Sequence, residues 1–228
     1  MSFFSTLDIA ALAFFVFAWI AYALALEWAS FGKRGLNGRI DGYRALWFNR
    51  TLAREARMVD MQIMTALNSG TAFFASTSLI AIGAALSLLR ATEEVLPLLS
   101  GLPVGVVTCR EQWEAKTLGL VVILVYAFFK FSWSYRLFNY VAIMLGAMPP
   151  VAEKDTPEAQ AHVVRTTRVF EEAGRHFSRG QRALFFALGY LGWYIHPLVL
   201  VVTTAAVFVV MLRRQFASVP LRALQDQG

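Results

Sequence analysis

Four stretches of this chain are each long and apolar enough to cross a bilayer as a helix, which leaves few folds open to it. They cover residues 7–29, 61–89, 117–148 and 183–212. Crossing the hydrocarbon layer takes about 20 predominantly apolar residues. Inside lipid the backbone must satisfy its own hydrogen bonds, so only helices and closed barrels span. A barrel would show short alternating segments between turns, and these runs do not alternate. The expectation is an all-α integral membrane protein, a four-helix bundle in one domain over residues 1–228, with amphipathic helices in its cytoplasmic loops. Composition agrees: 57% of residues are hydrophobic and 16% charged, against about 45–50% and about 25% in soluble domains. Residues 7–29 lack a basic segment before them and a small-residue cleavage site after them, so we expect a retained first span.

Charge sets the expected orientation. Thirteen Lys and Arg residues fall in loops 30–60 and 149–182, against six in the other loop and the tail. Basic loops stay in the cytoplasm, so four crossings place both termini outside a bacterial inner (plasma) membrane. The pair Arg213-Arg214, just past the fourth span, runs against that placement.

Both basic loops carry helix signals. Tyr43, Leu46, Trp47 and Leu52 alternate with arginines, as in a helix lying at a membrane surface. Thr156-Pro157 is a helix start, a capping hydroxyl followed by proline at the first helical position. The stripe Val163, Thr167, Phe170, Ala173 and Phe177 recurs at helical spacing, and Gly180 is expected to end that helix. The outer loop contains an apolar stretch, 95–107, read as a re-entrant or surface-lying piece.

A net charge of +6 on such a chain points to anionic headgroups as partners. Nothing resembles a nucleic-acid-binding pattern. Cys109 is the single cysteine, which excludes an intrachain disulfide. No metal-binding, nucleotide-binding or nucleophile motif is present, so neither an enzyme nor a cofactor or metal is expected.

Function is sought where polarity interrupts the apolar runs. Lys130 and Arg136 sit inside the third, and intramembrane cations are costly unless they reach water, phosphate or a partner. At 1.5 Å per residue, residues 117–148 make about 48 Å of helix, more than the roughly 30 Å hydrocarbon layer. Either Lys130 and Arg136 anchor the cytoplasmic end, or Arg136 faces a polar interior with Ser132, Asn139 and Tyr140, in which case Lys130, Arg136, Asn139 and Tyr135 are the pore or anion-binding candidates of this span. In the second span Asn68, Ser69, Thr71 and Ser76 supply small and hydroxylated positions, for helix contact or for lining a path. Arg57 and Asp60, spaced to pair, and Trp47 are candidates for lipid or interface contact. His196-Pro197 reads as a kink within the fourth span.

The segments from Arg57 to Thr77, with Asp60, Asn68, Ser69, Thr71 and Ser76, and from Lys130 to Tyr140, with Tyr135, Arg136 and Asn139, resemble a family of bacterial and plant membrane proteins catalogued only as a domain of unknown function. The resemblance covers the chain from the first span to the fourth and implies a multi-span helical protein. It brings no activity, substrate or cofactor with it.

Two functions follow as expectations. The first is a homo-oligomeric channel or transporter, with an anion favoured, because rings of Lys or Arg select anions and no carboxylate stands in a span core. The second is a non-catalytic accessory or scaffold subunit of a larger membrane complex, binding anionic lipid or partner helices.

Overall fold

The structure is a computed structural model and describes residues 4–27, 35–100 and 109–224. Among the described residues the architecture is all-helical. The helices are α1 (Thr6–Glu27), α2 (Leu36–Leu52), α3 (Met58–Arg90), α4 (Thr92–Ser100), α5 (Arg110–Gly146), α6 (Pro157–Tyr190), α7 (Pro197–Phe216) and α8 (Val219–Ala223). Short 3₁₀ turns lie at Val151–Glu153 and Leu191–Tyr194. Four spans are long and apolar enough to cross a membrane: Thr6–Leu26, Met58–Arg90, Arg110–Gly146 and Pro197–Ala223. Of the apolar stretch 95–107, residues 95–100 belong to α4 and the rest lies outside the described residues.

Side chains fix the helix starts. Ser5 and Asp8 form a reciprocal box: the Ser5 hydroxyl accepts from the Asp8 N–H at 3.1 Å, and the Asp8 carboxylate accepts from the Ser5 N–H at 3.2 Å. Thr156 caps α6 by accepting from the Ala159 N–H. His196 Nδ1 accepts from the Leu198 N–H at 3.2 Å to cap α7.

Two expectations about the C-terminal third are corrected. Helix α6 does not end at Gly180; it continues to Tyr190 and takes the first residues of the expected fourth span. Nor is Pro197 a kink within a span, because it opens α7, where its missing N–H is needed by no partner. The true break is the 3₁₀ turn Leu191–Tyr194.

Cross-helix contacts give the direction of each helix. Arg57, at the start of α3, donates to the carbonyls of Met148 and Pro149 beyond the end of α5, while Trp113 in the first turn of α5 donates to Leu88 near the end of α3. These two helices are antiparallel. Helix α6 returns along α5: His162 meets the Met144 carbonyl, Ser134 donates to the Ala173 carbonyl, and Lys116 donates to the Trp193 carbonyl. Helix α7 then reverses again, with Tyr22 donating to the Met211 carbonyl and Trp193 donating to Asp8. Helices α1 and α7 therefore run parallel. Asp8 stands at one end of the bundle, and Gln215 stands at the other, packed on Gly35. Helix α6, which runs back along α5 and leads into α7, is what lets α1 and α7 share a direction.

The core has two storeys. In one, Phe15, Trp19, Phe131, Phe186 and Tyr190 join α1, α5 and α6, with Trp19 stacked on Phe186 at 5.3 Å. In the other, Phe48, Leu52, Met64, Phe138, Val141 and Phe170 join α2, α3, α5 and α6. Helix α3 packs chiefly on α5 and leaves Phe73, Leu79 and Ile80 exposed.

Candidate functional site

Of the residues singled out in the third span, Arg136 and Tyr135 are exposed. Arg136 donates its Nε–H to the Tyr140 hydroxyl at 2.7 Å. Its guanidinium also lies 5.9 Å from the Trp133 ring centre and 5.7 Å from that of Tyr140, a cation–π clamp. Lys130 is half-buried, with its ammonium 5.1 Å from the Tyr126 ring centre. Asn139 turns the other way and accepts from Asn68 Nδ2 at 2.7 Å, which ties α5 to α3. Ser69 and Ser76 are exposed on the outer side of α3, whereas Thr71 is buried and donates to the Leu67 carbonyl of its own helix. Of these residues the fold brings together Asn68 and Asn139.

Trp47, Arg57 and Asp60 meet at the turn between α2 and α3. Asp60 is 0% exposed. Its Oδ1 accepts from Trp47 Nε1 at 2.6 Å and from Arg54 at 2.9 Å, and the Thr51 hydroxyl lies 3.1 Å away. Arg57 does not pair with Asp60, because its donors are spent on the Met148 and Pro149 carbonyls at 2.8 and 2.6 Å. Carbonyls past a helix end lack intrahelical partners, so Arg57 binds the end of α5 to the start of α3.

A second polar cluster stands at the opposite end, and the sequence reading missed it. Lys116 is 3% exposed and Asp8 is 7% exposed. Lys116 donates to the Trp193 carbonyl at 2.9 Å and sits 3.9 Å from Asp8 Oδ1, which also accepts from Trp193 Nε1 at 2.8 Å. Tyr194 donates to Thr117 at 3.0 Å beside them. The spacing Ser5-x-x-Asp8 was the available signal, since it marks the N-terminus of α1 as a carboxylate-bearing cap.

The described charges are unevenly shared between the ends. Around Asp8 and Lys116 stand Glu93, Glu94, Glu111 and Glu114 with Arg90 and Arg110, whereas α2, the first two-thirds of α6 and the end of α7 are rich in arginine. There residues of α2 and α6 line a cleft of about 890 Å³. Arg39 and Arg44 line it from α2, Arg175, Arg179 and Arg182 from α6, with Leu26 of α1 and Gln215 of α7 at its margin. Glycines keep it open: Gly42 faces empty space, and the Arg44 guanidinium lies over the bare backbone of Gly174. Arg44 is held by Asp41 at 2.6 Å and by the Phe170 ring at 5.4 Å.

Two carboxylates share the cleft wall, Asp41 and Glu171. Burial, with Asp41 adding to it, pushes the Glu171 carboxyl above its ordinary value despite Arg175, Arg44 and Arg168 nearby. On the far side of α6, burial and the Lys130 charge hold the His176 imidazole below its usual value. Arginine side chains are chemically suited to anions, since guanidinium forks match phosphate oxygens in pairs.

No curated protein and no solved structure matches the chain. The family described as Protein of unknown function, DUF599, matches residues 10–220, from the first turns of α1 to α8, and the chain belongs to that family.

Proposed function

We propose that this is a non-catalytic, multi-pass membrane protein that engages an anionic leaflet with its arginine-rich half, as an anchoring or scaffold subunit. The observation that carries the reading is the charge asymmetry of the two ends, with the arginine cleft opening where α1 and α7 finish. Basic segments beside a span remain cytoplasmic, so the Asp8 end faces out and the end of α7 faces in. In a bacterial inner membrane this brings the cleft to the level of anionic headgroups. Arg213 and Arg214 then fall on the basic side, which removes the conflict noted in the sequence. Self-association and membership of a larger complex belong to the same proposal.

The test is thermal unfolding in nanodiscs of phosphatidylcholine alone or mixed with phosphatidylglycerol. A ligand that binds the folded state raises the midpoint, and for a chain this size 1 kcal/mol of linkage corresponds to about 2–4 °C. A rise of that order with the anionic lipid, reduced by salt, supports the reading; equal midpoints overturn it.

A second reading, an anion path between copies, is favoured by one observation. Ser69 and Ser76 are exposed on the outer side of α3, where a neighbouring copy would complete a lining. Anion flux in proteoliposomes that falls in Ser76→Leu supports that reading, and absence of flux for common ions removes it.

A further inference from the structure

We infer that the cleft between α2 and α6 is a discrete site for one phosphate group, carried by an acidic lipid whose chains lie beside α1 and α7. The inference rests on the proposal that the arginine-rich half faces an anionic leaflet, and it adds a defined ligand chemistry and stoichiometry.

Several independent features separate this cleft from an ordinary solvated basic face. Its volume, about 890 Å³, falls within the range of roughly 300–1,000 Å³ typical of ligand sites. Five arginines line it from two helices, among them Arg44 paired with Asp41 and Arg175 paired with Glu172. Arg44 is fixed in place by Asp41 and by Phe170, so part of the receptor is already ordered before any ligand arrives. Gly42 lines the cleft with nothing within 4 Å of where a side chain would begin, so packing does not account for the absence of a side chain there. Leu26, in the last turn of the first apolar helix, forms one margin, which places the mouth at the boundary between apolar span and polar half. A free phosphate needs no such boundary, and a headgroup does.

The other charged groups of the cleft fit this chemistry. Asp41 pairs with Arg44 and Glu172 with Arg175, and Glu171 is the further carboxylate on the cleft wall. Glu171 faces Arg168 and Arg175 on its own helix and Asp41 and Arg44 across the cleft. Its raised affinity for a proton lowers the repulsion that an incoming phosphate meets.

The experiment uses the full chain in nanodiscs of phosphatidylcholine containing a minor fraction of phosphatidic acid, with retained lipid counted by native mass spectrometry. One phosphatidic acid per chain is expected on the wild type. Arg39→Ala and Gly42→Leu should each weaken retention about tenfold or more, as loss of a charge-assisted contact or of the cleft volume requires. Gly42→Leu is the deciding variant. It removes no charge, enters open space, and replaces glycine with a better helix former, so the fold survives it. Wild-type retention in Gly42→Leu overturns the discrete site while the leaflet proposal stands. Equal retention of phosphatidic acid and phosphatidylcholine by the wild type overturns the leaflet proposal itself. Inorganic phosphate at millimolar concentration serves as the competing arm. Failure to displace the lipid supports the headgroup as ligand, and full displacement overturns the lipid assignment in favour of the free anion.

Discussion

The ring of Phe131 occupies the space beside Gly180 in which a side chain would stand: a Cβ there would come within 2.8 Å of the ring carbons. Phe131 is fully buried and stacks on Phe74 at 5.3 Å, so the contact joins α3, α5 and α6. Glycine inside a helix costs about 1 kcal/mol against alanine, and here that loss is accepted for the close approach of α5 and α6.

Gly180→Ala should therefore destabilise the protein in spite of better helix propensity. Overpacking a filled core costs about 1–3 kcal/mol, which exceeds the propensity gain. Thermal melts of the purified variant should show a lower midpoint, and Phe131→Leu added to it should restore most of the loss. An unchanged midpoint in the single variant would mean that the ring moves aside freely.

At the other storey, Asp60 and Arg54 should behave unequally although they form one ion pair. Arg54 is 44% exposed at its side chain and Asp60 is 0% exposed. Arg54→Lys keeps a positive charge beside the buried carboxylate on a half-solvated side chain and should cost under about 1 kcal/mol. Asp60→Ala leaves Trp47 Nε1–H without an acceptor and should cost about 1–3 kcal/mol. Equal losses in denaturation of the two variants would refute the view that Asp60 serves Trp47 more than Arg54.

The Lys116–Asp8 pair should show strong coupling. Lys116→Met strands a buried carboxylate, a change that costs about 3–5 kcal/mol where no other donors compensate. Ser5 and Trp193 still donate to Asp8, so the loss should fall at or below the lower end of that range. Asp8→Asn in the same chain should recover part of it in a double-mutant cycle. Additive losses would show that the two charges do not sense each other.

Sidedness is open to direct labelling. Cys109, the single cysteine, precedes α5 at the acidic end. A membrane-impermeant maleimide should label it on intact spheroplasts. Ser218→Cys in a Cys109→Ser background should react after permeabilisation alone. Labelling of both positions from one side would contradict the opposite placement of Asp8 and Gln215.

The apolar helices were legible in the sequence because hydropathy alone identifies them. The stripe from Val163 to Phe177 likewise announced the first half of α6. What could not be read was its continuation, since a glycine such as Gly180 signals a break unless one knows that a ring will lie against it. Proline at 197 was ambiguous for a similar reason: mid-span kink and helix start share one local pattern, and the His196 cap decides between them only in three dimensions. The facing of Arg136 stayed open between anchoring and a polar interior. A helical wheel gives angles between residues, not the direction in which α3 and α6 lie. The arginine cleft was beyond reach altogether, as its walls come from segments more than a hundred residues apart.

Helix α6 is not among the helices apolar enough to cross a membrane unaided, and its buried residues, from Ala159 to Tyr190, meet α5 along its whole length. Such a helix has no seat until α5 is standing. The expected consequence is an assembly ordered in time, in which the amphipathic strut settles only once its spine is in place.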